Sequence, residues 1–551
     1  MEQHVEKKRP DFQALLSMAG QWSYYQWTLL SLLAIPGCLT GSWIGFSQVF
    51  VVASPSHWCH PPINLTELHL TELQWKNMAI PLSDAGFSSC KQYEYEVSET
   101  IVTINRSTEL ECSHGWTYDR SLYDETLVTE MGLVCGLDFW APLSMIIFNS
   151  GSVVGSLLFG HIADRYGRKK ALFLCVAMSS LLGFASSAAT GVKTFTALRF
   201  FAGFTFPSTY TIAVILAFEF VGDDYRIRTN TLFGSLYGAS MCALGIVANY
   251  VRNWRLLLVT CSMPGTLFLF CWWFIPESPR WLISKRQYVQ ATDTLASVAI
   301  RNRNSENIER IKETCRESFM QDDKPEQKPT VLDLFKTPIL RKITLLITFV
   351  WLVNSTVYNG LLYNVPNMKL NDYINFALSG AVEVPAALIT WPLMNKIGRR
   401  WSLVLSMGFG GLTTLLVPAL ANVHKWAIGI LATIGKFAIT ASFDILYAYA
   451  NELYPTTVRA IGITTGSLSA MICVMLEPYV LYATSHSRTL PLIIMGILSS
   501  IAALLALLLP ETKGCHLPQT IEQMEKLQKP RKGRRVKDSQ VDQLESLVAP
   551  S

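Results

Sequence analysis

Five ionisable side chains stand inside long apolar runs of this 551-residue sequence: Arg199, Glu383, Lys436, Asp444 and Glu477. A charge in such company is expensive unless it is paired or put to use. The five therefore mark either a system of structural ion pairs or a site that takes up a small charged molecule. Lys436 and Asp444 are eight residues apart, about two helical turns, so on one helix they share roughly one face. They pair directly only if the helix bends; otherwise they mark two depths of one wall. Glu383 lies in Leu378-Ser-Gly-Ala-Val-Glu-Val-Pro385, and Glu477 stands just before Pro478. The structural alternative sets Glu383 and Asp444 against Arg199 and Lys436 as partners. Tyr210, Trp351 and Tyr358, with Tyr363 and Tyr447, supply apolar walls, and ring faces attract ammonium groups by about 0.5–2 kcal/mol each. The balance of acids favours a cationic or zwitterionic ligand. Bond-making chemistry has no support, because no nucleophile triad, phosphate loop or metal-spaced cluster is present.

Twelve apolar runs must position these groups, near 27–52, 139–159, 171–189, 194–218, 231–250, 256–275, 343–363, 373–394, 401–421, 426–449, 460–483 and 490–509. Each is about the length that crosses a bilayer as a helix, roughly 20 residues. Half of the chain is hydrophobic, only 16% is charged, and the mean hydropathy is +0.28. A soluble globular protein has no use for runs of this length and number. The net charge of +5 sits mostly between and beyond the runs, where it orients the chain and gives no case for nucleic acid.

The short stretch Gly160-His-Ile-Ala-Asp-Arg-Tyr-Gly-Arg-Lys-Lys170 reads as a turn between two antiparallel helices, and its bases place it on the cytoplasmic side. That orientation fixes the rest. Residues 1–26 form a cytoplasmic N-terminus, and the first run is too long for a signal peptide. Residues 27–275 form a first six-helix half, within which 54–137 is an external loop. Residues 276–342 form a cytoplasmic loop, with short amphipathic helices expected over 291–319. Residues 343–510 form a second half, and 511–551 a cytoplasmic tail whose basic cluster, 529–537, suits anionic lipid. Pro36 and Gly37 predict a break in the first helix. The external loop has 12 acids and 4 bases, the sequons at Asn64 and Asn105, and Cys59, Cys90, Cys112 and Cys135, which allow two disulfides in three pairings.

The two halves repeat each other. Asp164-Arg165-Tyr-Gly167-Arg168-Lys169 answers Asn395-Lys396-Ile-Gly398-Arg399-Arg400 at an offset of 231. Arg199 answers Lys436 at 237, Glu219 and Arg226 answer Glu452 and Arg459 at 233, and Glu277 answers Glu511 at 234. Five matches at nearly one offset imply homologous six-helix halves, a geometry suited to alternating access at their interface. Gly160, Asp164, Arg165, Gly167, Arg168, Arg199, Glu219, Arg226, Glu277, Arg280, Asn395, Gly398, Arg399, Glu452, Arg459 and Glu511 are the candidate gating residues. Asp164 is expected to pair across the domain, its counterpart Asn395 to make a weaker latch, and Glu219, Arg226, Glu452 and Arg459 to bridge helices four, five, ten and eleven.

Gly160 to Lys170 resembles the signature loop of the major facilitator superfamily. The cysteine-bearing loop, Glu277-Ser-Pro-Arg-Trp-Leu282, Asn451-Glu-Leu-Tyr-Pro-Thr456 and Pro510-Glu-Thr-Lys-Gly514 together resemble the organic cation, organic anion and carnitine transporter family. The resemblance implies an all-α polytopic membrane protein of twelve helices in two pseudo-symmetric halves. It also implies movement of small organic ions across the plasma membrane, with no resident cofactor and with sodium or proton coupling left open. Within it, Tyr210 and Tyr358 match cavity positions, Glu383 matches the form of the cation and carnitine branches, and the position that sets substrate sign is Met471, which is uncharged. The candidate binding set is thus Tyr210, Trp351, Tyr358, Glu383, Lys436, Asp444, Met471 and Glu477. An anion exchanger, a sodium-coupled carnitine-type carrier and a transport-inactive receptor-like protein are the other functions this family allows.

Overall fold

The computed structural model describes residues 12–61, 71–83, 86–98, 101–222, 225–304, 306, 308–319, 330–363, 371–420, 425–455, 457–483 and 490–514. Among them, eleven helices are long and apolar enough to cross a bilayer. Six lie in the first half: Tyr24–Val51, Cys135–Tyr166, Arg168–Ser187, Val192–Phe218, Arg228–Tyr250 and Trp254–Trp273. Five lie in the second: Pro338–Tyr363, Asp372–Ile397, Arg399–Leu420, Gly429–Leu453 and Arg459–Val480. A shorter apolar helix, Leu490–Ala506, makes the twelfth; its 17 residues are at the lower limit for a crossing. They are called here the first to twelfth spans.

Each half has its own hydrophobic core. One is built on residues such as Leu33, Phe159, Leu172, Leu216 and Phe233, the other on Ile347, Leu403, Met407, Ile439 and Leu446. The halves meet along two seams. Gly238 and Gly245 of the fifth span lie against Gly380 and Ala377 of the eighth; a Cβ on Gly238 would come within 2.9 Å of the Gly380 carbonyl oxygen. The second span packs on the eleventh, where Asn149 donates to the Val474 carbonyl at 3.3 Å.

Several local expectations change. The Gly160–Lys170 stretch is almost wholly helical: one helix runs through Tyr166, the next starts at Arg168, and Gly167 alone reverses the chain. Its φ of 115° and ψ of 152° belong to a region open essentially only to glycine, and Gly398 (φ 96°, ψ 168°) repeats it in the second half. The first span is helical straight through Pro36 from Tyr24 to Phe46, and the interruption comes at Ser47. Gly37 instead lets Ala213 of the fourth span approach, its Cβ only 3.1 Å from where a side chain would start.

Prolines do break two other spans. The fourth divides into Val192–Gly203 and Ser208–Phe218 ahead of and after Pro207, and the eighth into Asp372–Ala381 and Glu383–Ile397. Pro385 has no N–H to give to the Ala381 carbonyl, so the helical ladder opens where Glu383 begins a new segment.

The segment before the second span is a small lobe with strands, which an all-α reading omits. His57–Cys59 pairs with Trp116–Tyr118, and Lys91–Ser98 with Ile101–Glu111. Of the three possible pairings the lobe has Cys59–Cys112 and Cys90–Cys135. Asn105 is exposed on the hairpin, whereas Asn64 and the basic cluster 529–537 lie outside the described residues. On the opposite side, which carries the charged turns, helices Tyr288–Arg301 and Ile308–Phe319 fill the expected amphipathic stretch. An unforeseen helix, Phe12–Ala19, packs on them, and Asn302 ties it to the first span by donating to Ala19 O at 2.9 Å and accepting from Tyr25 N at 3.1 Å. These sides are the lobe face and the loop face below.

Candidate functional site

Two charge networks of the same design sit on the loop face. In the first half the Glu277 carboxylate accepts the Lys169 backbone N–H at 3.0 Å, so it caps the third span and complements the helix dipole. A Cβ on Gly167 would run into that carboxylate. Arg168 then gathers its neighbours: Asp164 at 3.0 Å, Glu219 at 3.4 Å, and the Ala163 carbonyl at 2.9 Å. Glu219 is also within reach of Ser278 and Arg280. In the second half Glu511 accepts from Arg399 N at 2.8 Å and Arg400 N at 3.1 Å, and Arg399 pairs with Glu452 at 2.9 Å. Gly398 faces Glu511 as Gly167 faces Glu277.

These contacts correct the sequence reading in four places. Asp164 is exposed and pairs one turn away with Arg168 in its own loop, not across the molecule. Glu219 and Glu452 bind the arginines of the charged turns, and so join the fourth and tenth spans to the third and ninth; Arg459 gives its Nε to the Tyr454 carbonyl at 3.3 Å and stays within electrostatic reach of Glu452, and Arg226 starts the helix of the fifth span. Gly160 faces open space, so nothing around it demands a glycine, and Arg165 lies over its neighbour Tyr166. Asn395 is exposed, and the second network closes without an acid there.

The buried charges lie between the two faces. Glu383, 5% exposed, accepts a hydrogen bond from the Tyr358 hydroxyl and lies 3.4 Å from Lys436 Nζ. The ammonium also donates to the Tyr358 carbonyl at 3.3 Å and sits over the Tyr358 ring. Three spans, the seventh, eighth and tenth, are joined at this point. Asp444, two turns along the tenth span, does not share Lys436: it is half-buried and has no hydrogen-bond or ion-pair partner among the described residues. The rings around it come from both halves. Tyr210 and Tyr237 of the first half lie 5.0 Å apart, and Phe443 lies 5.6 Å from Tyr447 and from Tyr358. Asp444 is within electrostatic range of Tyr210, Tyr358 and Tyr447.

Not every candidate joins this group. Trp351 is only 1% exposed; it backs Tyr447 edge-on at 4.4 Å and so supports the wall from behind. Arg199 lies elsewhere, its guanidinium over the Phe148 ring at 4.7 Å and bonded to the Ile44 carbonyl at 3.3 Å, so the two repeat-related bases have taken different partners. Met471 is half-buried on the eleventh span, and Glu477, six residues on, points from another face of that helix. Tyr237 and Phe443 escaped the sequence reading. Phe443 and Tyr447, four residues apart and flanking Asp444, carried a legible signal; Tyr237 carried none.

Among the described residues one polar contact between the halves lies in the central cluster, from the Tyr358 hydroxyl to the Met241 sulfur at 3.9 Å, and the others lie toward the lobe face. Tyr123 of the lobe donates to Asp372 at 2.7 Å, Tyr373 to the Leu122 carbonyl at 3.0 Å, and Tyr482 to Asp138 at 2.9 Å. Phe50 stacks on Tyr373 at 5.3 Å. Both networks on the loop face close within their own half. The arrangement is that of a two-half molecule shut on the lobe side.

The model of the sugar (and other) transporter family matches residues 84–525. Organic cation transporter 1 of Caenorhabditis elegans is 35% identical, covering 94% of this chain and 89% of its own length. Human organic cation/carnitine transporter 2 is 33% identical over 93% of this chain and 94% of its own, and the beta-alanine transporter of Drosophila melanogaster is 32% identical over 94% and 89%. Among solved structures, the xylose transporter of E. coli in a partially occluded, inward-open conformation superposes with a TM-score of 0.61 at 15% identity, covering 90% of this chain and all of that one. That likeness concerns the fold.

Proposed function

The chain belongs to the organic cation transporter family, solute carrier family 22, within the major facilitator superfamily, and from that premise we propose that it carries small organic cations or zwitterions across the plasma membrane by alternating access. It is a multi-pass membrane transporter, not an enzyme. In the proposed orientation the disulfide-bonded lobe is extracellular, the charged turns and both termini are cytosolic, and the conformation described here faces inward.

One observation carries the choice of substrate: Asp444 is an unpartnered, half-buried carboxylate among aromatic rings, beside a Glu383 already matched by Lys436. The cluster therefore holds one more negative than positive charge, and an organic cation is its natural complement. Glu383 and Asp444 are the counter-ions, and Tyr210, Tyr237, Tyr358 and Phe443 offer ring faces to the alkyl-ammonium surface. Lys436 favours a second arm of the same reading. A zwitterion can set its carboxylate near Lys436 and its ammonium near Asp444, which agrees with relatives named for carnitine and beta-alanine. Met471, at the family's sign-setting position, adds no charge to either arm.

The test is uptake of labelled tetraethylammonium, carnitine and an aryl anion into cells that display the protein, each with and without sodium. Cation or zwitterion uptake that Asp444→Asn depresses at unchanged surface level is expected. Preferred uptake of the aryl anion overturns the reading, as does transport of the whole panel unaltered by that substitution.

A further inference from the structure

The central cluster leaves one acid unused. Glu477 is 2% exposed, and neither carboxyl oxygen has a hydrogen-bond partner among the described residues. It lies at the seam of the seventh, eleventh and twelfth spans, on the external side of Lys436. A Cβ built on Gly360 would meet both Glu477 Oε1 and, at 2.7 Å, the sulfur of Met495. Gly360 is therefore the opening that admits the carboxyl between the helices.

An ionised carboxylate in such a place has lost its water and gained no hydrogen bond in return, which strongly disfavours the charged form. Two neutralising cations are conceivable, a proton and a metal ion. A hard metal ion needs a shell of oxygens. Among the described residues no polar atom comes within hydrogen-bond reach of either Glu477 oxygen, and Gly360 and the Met495 thioether pack on it, so the surroundings suit a proton.

The charged and titratable neighbours are few. Lys436 approaches from the tenth span, Tyr363 from the seventh and Cys473 from Glu477's own helix; Arg199 of the fourth span acts only through Tyr363. The second span offers Asn149, already bonded to Val474 O, and the twelfth brings the uncharged Met495 beside Gly360. Lys436 is thus flanked by two acids, paired with Glu383 and close to Glu477.

We propose that Glu477 is a proton-coupling site, which releases its proton and takes Lys436 as counter-ion when an organic cation claims Glu383. This rests on the reading of Glu383 as a cation site. The exchange balances. One organic cation enters the cluster, the Glu477 O–H bond breaks, one proton leaves to the water on the open side, and the ammonium of Lys436 shifts from one carboxylate to the other. The charge of the site does not change. Repeated on each face, the cycle moves an organic cation inward and a proton outward.

The experiment uses the purified full chain in liposomes with the membrane potential clamped by potassium and valinomycin. With the interior one pH unit more acidic, wild type accumulates labelled tetraethylammonium, toward about tenfold for one-for-one exchange. Glu477→Gln removes the response to the gradient, whatever its rate. Wild-type uptake indifferent to the gradient, or a response kept by Glu477→Gln, overturns the proposal. So does a sodium stimulation that Glu477→Gln abolishes, which would assign the site to a metal ion. Glu383→Gln tests the underlying site separately: if it leaves tetraethylammonium uptake unchanged, the cation site is wrong while the gradient response still reports on Glu477. Infrared spectroscopy of the solubilised protein at neutral pH decides independently of any substrate. A protonated-carboxyl band lost in Glu477→Gln supports the proposal, and its absence from wild type overturns it.

Discussion

The unpartnered Asp444 and the matched Glu383–Lys436 pair call for different consequences on substitution. Asp444→Asn removes a counter-ion but leaves no new buried charge, so folding should be spared and apparent cation affinity should fall by about ten- to a hundredfold, the value of a charge-assisted contact. Concentration dependence of tetraethylammonium uptake, normalised to surface protein, reads this directly. Lys436→Gln instead strands Glu383 in a dry site, and breaking such a pair costs about 3–5 kcal/mol. Its thermal stability in detergent should drop, and adding Glu383→Gln should recover most of the loss. A double variant no more stable than Lys436→Gln alone would mean that the pair is not what the lysine supports.

Among the elements, the charged turns and the lobe contacts make separate predictions. Gly167→Ala and Gly398→Ala each force a side chain into a backbone region that costs about 1–3 kcal/mol and push it against Glu277 or Glu511. Both should lower thermal stability and surface delivery, to a similar extent because the two networks match. Asn395→Asp, by contrast, adds only an exposed i,i+4 partner for Arg399, and should change stability by a few tenths of a kcal/mol at most, about 0.5. An equal loss in the glycine variants with no gain from Asn395→Asp would show that the two turns are equal devices despite the missing acid.

On the lobe side, hydrogen bonds from Arg255, followed by one from the Trp254 indole, hold the Glu130 carboxyl below the usual glutamate range. A depressed folded value adds stability above the unfolded value, and that stability is lost as pH falls through the folded one. The clamp between lobe and sixth span should therefore hold at neutral and mildly acidic pH and release only below about pH 4. Hydrogen exchange of 121–134 across that range, compared with Glu130→Gln, is the measurement; exchange that rises already near pH 6 would be inconsistent with it.

For the molecule as a whole, the closed lobe face should be one of two alternating arrangements. Asn149→Cys with Val474→Cys places thiols across the second–eleventh seam, where Asn149 already reaches Val474 O at 3.3 Å. In a background cleared of all eight cysteines outside the two disulfides, Cys38, Cys175, Cys242, Cys261, Cys271, Cys315, Cys473 and Cys515, oxidation should trap this state and stop uptake, and a reductant should restore it. Undiminished uptake after complete cross-linking would show that this seam does not open. The glycine-lined contact of fifth and eighth spans suits such motion, because the halves touch there through backbone with little side-chain interlock.

Twelve apolar runs, a basic turn and a repeat at nearly constant offset predicted twelve spans in two halves, and eleven long apolar helices with a shorter twelfth stand among the described residues, because bilayer thickness and chain reversal act locally and leave periodic marks. The residues of the central cluster were legible for the same reason, since charge inside an apolar run stands out one residue at a time. Partnership was not. Whether Lys436 belonged to Asp444 on its own helix or to Glu383 on another, why Arg199 parted from its repeat mate, and that Glu477 has no hydrogen-bond partner among the described residues depend on which helices lie side by side. So does the reduction of an eleven-residue motif to one turning glycine, Gly167, pressed on Glu277 from more than a hundred residues away. Sequence determined which charges this protein keeps in the membrane; packing of the halves decided which of them remain free to bind.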